Sequence, residues 1–368
     1  MKRKVVHLTT THARNEVRVF LKECTSLSVA GYDVYLIVAD GLGPDTTSSG
    51  VHRLDIGKQS GRIQRMLIQP WRMLRAAFKI RADVYHLHEP ELLLIALPLK
   101  WSGAKVVYDS HEDTPRAILS RDWINPFLRK LVSSTFELFE NFVTCRISAV
   151  VGATPHISLR FSKINKQTVT VNNYPLQSEL PDFEIPLRIN RSLCYIGSIS
   201  KSRGVFEMIN AVDPLDAQLI LAGWFESEQV ELNAKKLNGW SKIDYRGTVN
   251  RSEVHEIMSR SSIGLVIFHP EPNHVNAQPN KLFEYMSARL PIIASDFPLW
   301  REVIEGNDCG ICVNPMNPSA ISEAINLLLT NPERVKKFGD NGYRAVQEKY
   351  NWGIEEQKLL TLYNELTK

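Results

Sequence analysis

Short runs rich in β-branched and aliphatic residues alternate with helix-type patterns along almost the whole chain of 368 residues. This alternation predicts βαβ crossovers, and therefore parallel sheets with helices on both faces. In the first half we predict strands at 5–8, 33–38, 84–87, 105–108 and 149–152, and helices at 16–30, 62–81, 91–101 and near 124–145. In the second half we predict strands at 193–196, 218–222, 243–246, 264–267, 291–294 and 311–313, and helices at 204–212, 226–238, 251–260, 280–288, from 318 onward and at 355–366.

The pattern lapses between residues 172 and 191, where Asn, Pro and mixed charges predominate. We interpret this stretch as a linker between two Rossmann-like domains, 1–172 and 173–352. Tandem domains of this type predict a ligand at the carboxyl ends of the strands, in a cleft between the domains. The last helix is apolar at several positions, so we expect it to pack rather than extend into solvent.

Composition excludes several classes of protein. Hydrophobic residues make up 43% and charged residues 23%, as in globular proteins with a full core. The longest apolar stretch, 92–99, is far shorter than the roughly 20 residues of a membrane span. The N-terminus turns polar at Thr9 and lacks the apolar core of a signal peptide. The five cysteines form no CxxC pair, so we expect reduced thiols in a cytoplasmic protein.

The two halves of the chain differ in net charge. Residues 1–175 contain 24 Lys and Arg against 15 Asp and Glu, whereas residues 176–368 contain 20 against 25. The basic excess is densest at 58–81, where apolar residues recur at helical spacing, and a second such segment spans 116–130. Each alone suits an ordinary surface helix. Together they favour an anionic membrane surface or a lipid-phosphate substrate. Nucleic acid is not predicted, because no nucleic-acid-binding motif accompanies the charge.

The most distinctive motif spans residues 276–295, where a loop dense in Asn and Pro enters a helix carrying Lys281 and Glu284. Backbone N–H groups at a helix start attract phosphate or sugar oxygens, and Lys281 adds a positive charge. The carboxylate of Glu284 can accept two hydroxyls of a ribose. The alternative is an i,i+3 surface pair that contributes only ~0.2–0.5 kcal/mol.

A second loop, 195–207, contains Gly197, Lys201, Arg203 and Gly204 between a strand and a helix. Glycines permit close approach of a ligand to the backbone, and the cations can neutralise a diphosphate leaving group. The loop matches neither a P-loop nor the GxGxxG fingerprint.

Polar residues also end two strands of the first half, where His86, His88 and Glu89 follow one strand and His111 follows another. A histidine at a strand end is a candidate for the cleft, although isolated histidines are often structural. We predict no metal site, because no HExxH-type framework fixes the ligand geometry.

The order of these loops resembles the retaining glycosyltransferases of family four, which have the GT-B fold, over almost the whole chain. The motifs that carry the resemblance lie at 83–88, 107–112, 197–204, 245–249, 279–286, 291–295 and 301–304. The resemblance implies two Rossmann-like domains that face each other across a cleft. The first domain, 1–172, would bind the acceptor. The second, 173–352, would bind a nucleotide-sugar, and the helix 353–368 would cross back onto the first domain.

The resemblance also implies residue roles in the donor domain. Glu284 matches the glutamate that holds the ribose, and Arg203 lies where the family has the lysine of its diphosphate-binding pair. Ser198 replaces the partner arginine and Asn276 replaces the first conserved glutamate, so we expect Lys281 to compensate. The predicted donor-binding residues are Gly197, Ser198, Asn276, Ala277, Gln278, Asn280 and Glu284. Arg289 replaces the family's usual glycine, for which we have no physical account.

In the acceptor domain, His111 matches the family histidine that approaches the transferred sugar. The segment 10–18 replaces the usual Gly-Gly loop, so Arg14 and Arg18 are predicted to meet an acceptor phosphate. The predicted acceptor-binding residues are Thr11, His12, Arg14, Arg18, His88 and Glu89, and the predicted catalytic residues are His111, Arg203 and Lys281.

These expectations describe a metal-independent, cofactor-free hexosyltransferase that retains anomeric configuration. It would move a sugar from a nucleotide-sugar, with UDP favoured and GDP second, to a lipid-linked saccharide. The setting would be bacterial O-antigen, capsule or exopolysaccharide synthesis at the inner face of the plasma membrane. Two alternatives are a non-catalytic GT-B partner that binds a nucleotide-sugar or scaffolds a synthase complex, and a GT-B sugar-nucleotide epimerase. The substitutions at 198 and 276 favour the former.

Overall fold

Fourteen strands form two separate sheets in the computed structural model, which describes residues 2–58, 61–121, 124–176 and 191–368. The chain divides into one unit that ends at Asn173 and includes Trp352–Lys368, and a second unit from Tyr174 to Asn351. Most of the predicted linker, and Trp123 of the second basic segment, lie outside the described residues.

The first unit is built on an eight-stranded sheet in the order β3-β4-β2-β1-β5-β6-β7-β8, parallel except for β3 against β4. Its central strands are buried on both faces, as expected for a parallel sheet between helical layers. The strands are β1 (Lys4–Leu8), β2 (Asp33–Val38), β3 (Asp45–Thr46), β4 (His52–Asp55), β5 (Val84–Leu87), β6 (Lys105–Ser110), β7 (Ala149–Gly152) and β8 (Thr168–Thr170).

The helices of the first unit depart from the sequence prediction in several places, and the helix Pro155–Ser162 was not predicted. The predicted helix 16–30 is a π-helix, Val17–Cys24, followed by a short α-helix, and 62–81 is two helices with Pro70 in the first turn of the second. The basic segment 116–130 is also interrupted between two helices. The α-helices are α1 (Thr25–Val29), α2 (Arg62–Leu67), α3 (Gln69–Ile80), α4 (Leu93–Trp101), α5 (Thr114–Leu119), α6 (Pro126–Thr144) and α7 (Pro155–Ser162).

The second unit has a six-stranded parallel sheet in the order β11-β10-β9-β12-β13-β14. Its strands are β9 (Ser192–Ile196), β10 (Gln218–Ala222), β11 (Ile243–Gly247), β12 (Ile263–Val266), β13 (Ile292–Ser295) and β14 (Gly310–Val313). Its α-helices are α8 (Val205–Val212), α9 (Glu228–Lys235), α10 (Arg251–Arg260), α11 (Asn280–Ser287), α12 (Pro298–Ile304), α13 (Pro318–Leu329) and α14 (Pro332–Glu348). Asn317 caps α13 ahead of Pro318 at its first position.

The last helix, α15 (Trp352–Leu366), packs on the first unit. Trp352 Nε1 donates to Ser26 Oγ at 3.0 Å, and Glu355 accepts from the backbone N–H of Asn172 at 2.8 Å. Tyr363 is fully buried. The first unit is therefore completed by the C-terminal segment.

Across the described residues, no helix combines the length and the apolar character needed to cross a lipid bilayer.

Candidate functional site

The loop after β9 lies at the carboxyl edge of the second sheet, and glycines determine its path. Gly197 has a φ of +127°, which favours glycine, and its N–H donates to the carbonyl of Ala222 at 2.8 Å. A Cβ at Gly223 would collide with the carbonyl of Gly197, so the loops after β9 and β10 pass each other backbone to backbone. Gly204, with a φ of +70°, then turns the chain into α8.

Lys281, in the first turn of α11, lies against this loop. Its Nζ donates to the hydroxyl of Tyr195 at 3.1 Å and lies 4.3 Å from the centroid of that ring. A Cβ at Gly197 would lie 2.8 Å from the same Nζ. Burial, followed by the positive charge of Arg203, lowers the pKa of Lys281 to about 7, although Glu284 acts in the opposite direction.

Arg203 completes a pair of cations around one aromatic ring. The guanidinium of Arg203 and the ammonium of Lys281 each lie 5.4 Å from the ring centroid of Phe268. The guanidinium also donates, at 3.5 Å, to the carbonyl of Ser198. In the described parts of the chain, neither cation forms an ion pair with a carboxylate. Arg203, together with a lysine whose pKa of about 7 lets it gain a proton when an anion binds, makes an anion-binding environment beside the glycine loop.

Glu284 lies one turn after Lys281 and is partly exposed. Its carboxylate accepts a hydrogen bond from Arg251 at 2.8 Å. The carboxylate is therefore at the surface of α11, where polar ligand groups can reach it, and a ligand hydroxyl would share it with Arg251.

The loop that precedes α11 carries the other predicted donor residues. Asn276 and Asn280 are exposed, and the carbonyl of Ala277 accepts from Trp300 Nε1 at 2.6 Å. The Oε1 atom of Gln278 is buried and accepts no hydrogen bond from any residue that the structure describes. The hydrogen bond that the fully buried Trp300 donates to Ala277 fixes this loop to the core.

Sequence reasoning missed three residues of this site. Tyr195 and Phe268 are core-type aromatic residues at strand ends, and only the packing shows that they hold the two cations. His269 Nε2 lies 3.1 Å from Glu207, and the N–H of His269 donates to Ser202 at 2.8 Å. The histidine thus joins the loop after β12 to the loop after β9.

In the first unit, histidines in three adjacent strands or directly after them form a ladder, which is buried except at His111. His7 pairs in register with His86 on the neighbouring strand. His7 Nδ1 lies 2.8 Å from His88 Nε2, and His88 Nδ1 lies 3.3 Å from His111 Nε2. At the other end, the hydroxyl of Tyr363 lies 2.7 Å from His86 Nδ1 and 3.4 Å from His7 Nε2.

Asp109 determines which nitrogen of each ring carries the proton. Burial raises the pKa of Asp109, but Arg18 and His111 outweigh it and hold that pKa well below its usual value. The ionised carboxylate only accepts, so His111 Nε2, at 2.9 Å, must donate to it. Burial lowers the pKa of His88, and that of His7 well below its usual value, so both rings are neutral. We infer that His88 Nδ1 donates to Asp109 and that His88 Nε2 accepts from His7.

Glu89 organises the neighbouring threonine loop. Its carboxylate accepts from the side chain of Thr9, from the N–H of Thr10 at 3.0 Å, and from the hydroxyl of Thr11 at 2.9 Å. His12 Nε2 lies 3.8 Å from the same carboxylate. Glu89 is therefore committed to holding the loop in place.

Arg14 and Arg18, which were predicted to meet an acceptor phosphate, both have internal partners in the structure. Arg18 is buried, with both Nε and an Nη donating to Asp109 at 3.0 and 2.8 Å. Arg14 donates twice to Asp40, each time at 2.7 Å, and once to the carbonyl of Gly43 at 2.9 Å. Both guanidinium groups are occupied by internal partners, because carboxylates from distant strands meet them inside the unit.

Among the residues that the structure describes, two groups of side chains have the composition of a metal site. One contains His7, Glu23, His86 and His88, and the other contains His88, Asp109 and His111. The 2.8 Å between His7 and His88 is a hydrogen-bond distance, whereas two nitrogens on a tetrahedral zinc would be about 3.3 Å apart. Arg18 Nε also lies 3.1 Å from Glu23, where its charge opposes a cation. The first donor set thus fits a hydrogen-bonded network better than a resident metal.

A cavity of about 690 Å³ opens in the first unit beside the ladder. Four of the predicted acceptor residues and the predicted catalytic histidine are among its lining residues, namely Thr11, His12, His88, Glu89 and His111. The opposite walls are apolar and come from helices α2, α4, α5 and α6.

Solved structures share this architecture over the whole chain. Sucrose-phosphate synthase from Thermosynechococcus elongatus aligns with a TM-score of 0.80 at 14% identity, covering 100% of this chain and 99% of that one. HepE of Anabaena, solved in complex with UDP and glucose, aligns with a TM-score of 0.76 at 13% identity, covering 99% and 100%. At these identities the similarity shows the fold alone.

Curated relatives align with a smaller share of this chain than the solved structures do. Alpha-D-kanosaminyltransferase of Streptomyces kanamyceticus is 27% identical over 47% of this chain and 45% of its own length. Phosphatidyl-myo-inositol mannosyltransferase of Mycobacterium leprae is 20% identical over 76% and 73%. The capsular polysaccharide biosynthesis glycosyltransferase CapM of Staphylococcus aureus is 22% identical over 50% and 48%. The chain thus matches about half the length of two of these proteins.

Two parallel-sheet α/β units of this topology define the GT-B class of glycosyltransferase folds, which confirms the predicted fold class. Family models of a "Glycosyl transferase 4-like domain" and of "Glycosyl transferases group 1" match residues 17–166 and 188–345. The chain belongs to this family of group 1, family-four glycosyltransferases, and the predicted family is confirmed.

Proposed function

We propose that the protein is a retaining hexosyltransferase that moves a sugar from a nucleotide-sugar to a lipid-linked saccharide, without a metal or other cofactor. Its setting would be bacterial O-antigen, capsule or exopolysaccharide synthesis, on the cytoplasmic face of the plasma membrane. The observation that carries the proposal is the pair of cations, Arg203 and Lys281, beside the glycine loop at Gly197.

The two cations would stabilise the diphosphate as it leaves the anomeric carbon, in the role that a metal ion has in other transferases. The acceptor hydroxyl would attack from the face that the diphosphate leaves, and the leaving phosphate would take its proton. Glu284 would hold the ribose, with Ser198, Asn276, Ala277, Gln278 and Asn280 as further donor contacts. His111, oriented by Asp109, would approach the transferred sugar.

A UDP-sugar is the favoured donor, and a GDP-sugar is the second candidate. A solved relative in fold, HepE, holds UDP and glucose, which supports a uridine nucleotide without identifying the sugar. The lipid-linked acceptor is supported by the name of the mycobacterial phosphatidylinositol mannosyltransferase and by the surface of the first unit.

That surface is formed by three neighbouring helices, α3, α4 and α6. Large apolar side chains project from them into solvent, with Phe127 93%, Trp101 78% and Leu131 65% exposed. Basic residues are interleaved with them, including Arg75, Lys79, Lys100 and Lys130. Apolar side chains among basic ones are typical of a surface that binds an anionic membrane.

The alternative is a non-catalytic partner that binds a nucleotide-sugar, which the replacements at Ser198 and Asn276 favour. Donor turnover discriminates between the two. We expect wild-type protein to consume one class of nucleotide-sugar in the presence of acceptor, and Glu284→Gln to lose about 10–100-fold in kcat/KM, the value of a hydrogen bond to a charged group. Glu256→Gln, an exposed carboxylate on α10, is the matched control.

The first measurement is a thermal-shift panel of UDP-, GDP-, ADP- and dTDP-sugars with magnesium and with EDTA. A ligand at 100 times its Kd stabilises the fold by about 2.7 kcal/mol. A shift with UDP-sugars that survives EDTA supports the proposal. A shift that requires magnesium contradicts the metal-independent mechanism.

Membrane binding is tested by co-sedimentation with phosphatidylglycerol and phosphatidylcholine vesicles. We expect binding to the anionic vesicles that weakens with salt, and we expect the double substitution Phe127→Ser and Leu131→Ser to reduce it. Leu232→Ser, an exposed leucine of the second unit, is the control. Equal binding to both vesicles, or no effect of the double substitution, would contradict this surface.

A further inference from the structure

The cavity of the first unit has two chemically different sides. One side contains the imidazoles of His12, His88 and His111 with the threonine loop around Thr11. The other side is apolar and is contributed by Leu94, Ile118, Ile124, Val132, Phe136 and Phe139. A wholly polar saccharide could use the first side only, and the apolar side would keep its contact with water.

We propose that this cavity binds the apolar chain of the acceptor, an alkyl or isoprenoid phosphate, with the phosphate at the rim and the chain against α4 and α6. This inference rests on the proposed function, since it places the lipid part of the proposed acceptor. The inference assigns a lipid chain to this cavity, whereas the acceptor contacts predicted from the sequence were polar side chains alone.

The cavity lining and the exposed apolar surface of the first unit meet at shared and neighbouring residues. Four residues, Met66, Leu67, Leu94 and Val132, line the cavity and are also exposed, Leu67 by 59%. On α6, Val132 is preceded by Leu131, Leu128 and Phe127. These three exposed residues belong to the surface proposed to meet the membrane. A chain that leaves the bilayer here can enter the cavity while staying in apolar surroundings, which favours its transfer.

The rim carries two arginines that suit the phosphate. Arg121 donates to Glu112 at 3.1 Å, and both side chains of this pair are about half exposed. Arg65 Nε lies 3.5 Å from Glu91, too far for a good hydrogen bond, and finds no other partner in the described chain. The Arg121–Glu112 pair is exposed on both sides and such pairs are weak, so a phosphate can replace Glu112 as the partner of Arg121. Arg65, whose partner Glu91 has a largely buried side chain, would add a second positive charge to the cavity lining.

Direct binding of a probe tests the site without any sugar transfer. We would measure dodecyl phosphate and butyl phosphate by calorimetry on the full chain, below the micelle concentration of the former. The head is identical, so the difference reports the chain. We expect dodecyl phosphate to bind at least tenfold more tightly than butyl phosphate. Equal affinities would overturn the proposal.

Two substitutions that fill the cavity from different helices keep the test independent of folding defects. Leu94→Trp on α4 and Val132→Trp on α6 should each weaken dodecyl phosphate binding at least tenfold. Leu159→Trp, an exposed position on α7 outside the cavity, should not. Each variant must keep the wild-type midpoint of urea unfolding, which shows that it is folded without reference to any ligand. If both cavity variants bind dodecyl phosphate as the wild type does, the chain lies elsewhere and the proposal fails.

The outcomes separate this inference from the proposed function. Sugar transfer without dodecyl phosphate binding would leave the transferase standing and remove the lipid cavity. Dodecyl phosphate binding that the cavity variants abolish, in a protein that binds no nucleotide-sugar, would support the cavity and remove the transferase.

Discussion

Lys281 Nζ donates a hydrogen bond of 3.1 Å to the hydroxyl of Tyr195 and lies 4.3 Å from the centroid of the same ring. The guanidinium of Arg203 and the Nζ of Lys281 each lie 5.4 Å from the ring centroid of Phe268. Partial burial and a neighbouring cation both disfavour a charged lysine, so its pKa falls to about 7. A lysine of this kind is poised to gain a proton when an anion arrives, because the anion compensates both penalties.

The first prediction concerns that proton. At pH 8 the free protein has Lys281 mostly neutral, and a bound diphosphate raises its pKa, so binding of UDP should take up a fraction of a proton. Calorimetry in two buffers of different ionisation enthalpy measures the uptake. Lys281→Met should abolish it, whereas Lys235→Met on exposed α9 should not. Affinity should fall as the pH rises from 7 to 9; a flat profile would contradict the assignment.

A second prediction concerns Gly197. Gly197→Ala forces a side chain into a φ of +127° and brings its Cβ to 2.8 Å from Lys281, so we expect a loss of about 1–3 kcal/mol in stability together with weaker UDP binding. Gly247→Ala also has a positive φ, of +63°, but its Cβ would meet nothing within 4 Å. It should cost stability alone, about 1–2 kcal/mol. Urea unfolding and UDP titration measure the two effects. Unchanged UDP affinity in Gly197→Ala would count against the glycine loop as a donor site.

A third prediction concerns Tyr363 at the end of the histidine ladder. Tyr363→Phe leaves His86 Nδ1 and His7 Nε2 without their partner in a fully buried site, which should cost about 1–3 kcal/mol of unfolding free energy. Tyr32→Phe removes an exposed hydrogen bond to the same helix, at Asn364, and should change stability by less than about 0.5 kcal/mol. Equal effects of the two substitutions in urea would mean that the ladder adds no stability.

A fourth prediction follows from the buried imidazoles. Burial lowers the pKa values of His7, His86 and His88 below 6.5, so between their folded values and 6.5 the unfolded chain binds more protons. Stability should therefore fall as the pH drops below about 6.5. Burial also raises the pKa values of Glu23 and Glu140, and these two carboxyl groups oppose the effect of the histidines.

Urea unfolding at pH 5 and pH 7.5 measures this dependence. His86→Gln should reduce the difference between the two pH values, and His156→Gln, an exposed histidine of α7, should leave it unchanged. A stability that does not fall between pH 7.5 and pH 5 would contradict this prediction, because the unfolded chain would then not bind more protons than the folded one.

Local sequence patterns were enough to predict most strands and helices of the second unit. The strand Gln218–Ala222 and the helix Arg251–Arg260 agree with prediction to the residue, because their apolar periodicity and caps are local. The short strands β3 and β4 escaped prediction, since a strand of two to four half-exposed residues has no periodicity to detect. The π-helix at 17–24 differs from an α-helix only in its hydrogen bonding, which hydrophobic periodicity does not report.

The candidate sites show the same difference between contacts that are local in the sequence and contacts that are not. Lys281 and Glu284 are one turn apart, so sequence alone brings them together. The partners of Arg14 and Arg18 lie 26 and 91 residues away, and only the sheet register carries Asp40 and Asp109 to them. The ladder likewise takes its members from β1, β5, β6 and α15, and no spacing in the sequence announces it.

The docking of α15 on the first unit has a consequence for synthesis. The ribosome produces the eight-stranded sheet first, then the whole second unit, and only afterwards the helix that covers His86 and His7 with Tyr363. Until residue 363 emerges, the imidazoles of His7 and His86, which are buried in the folded protein, lack the tyrosine that covers them. The nascent first unit must therefore wait, partly open, for some 180 residues of unrelated chain. A tag or fusion that hinders this last helix should thus reduce the yield of folded protein through its first unit, although it is attached at the opposite end of the sequence.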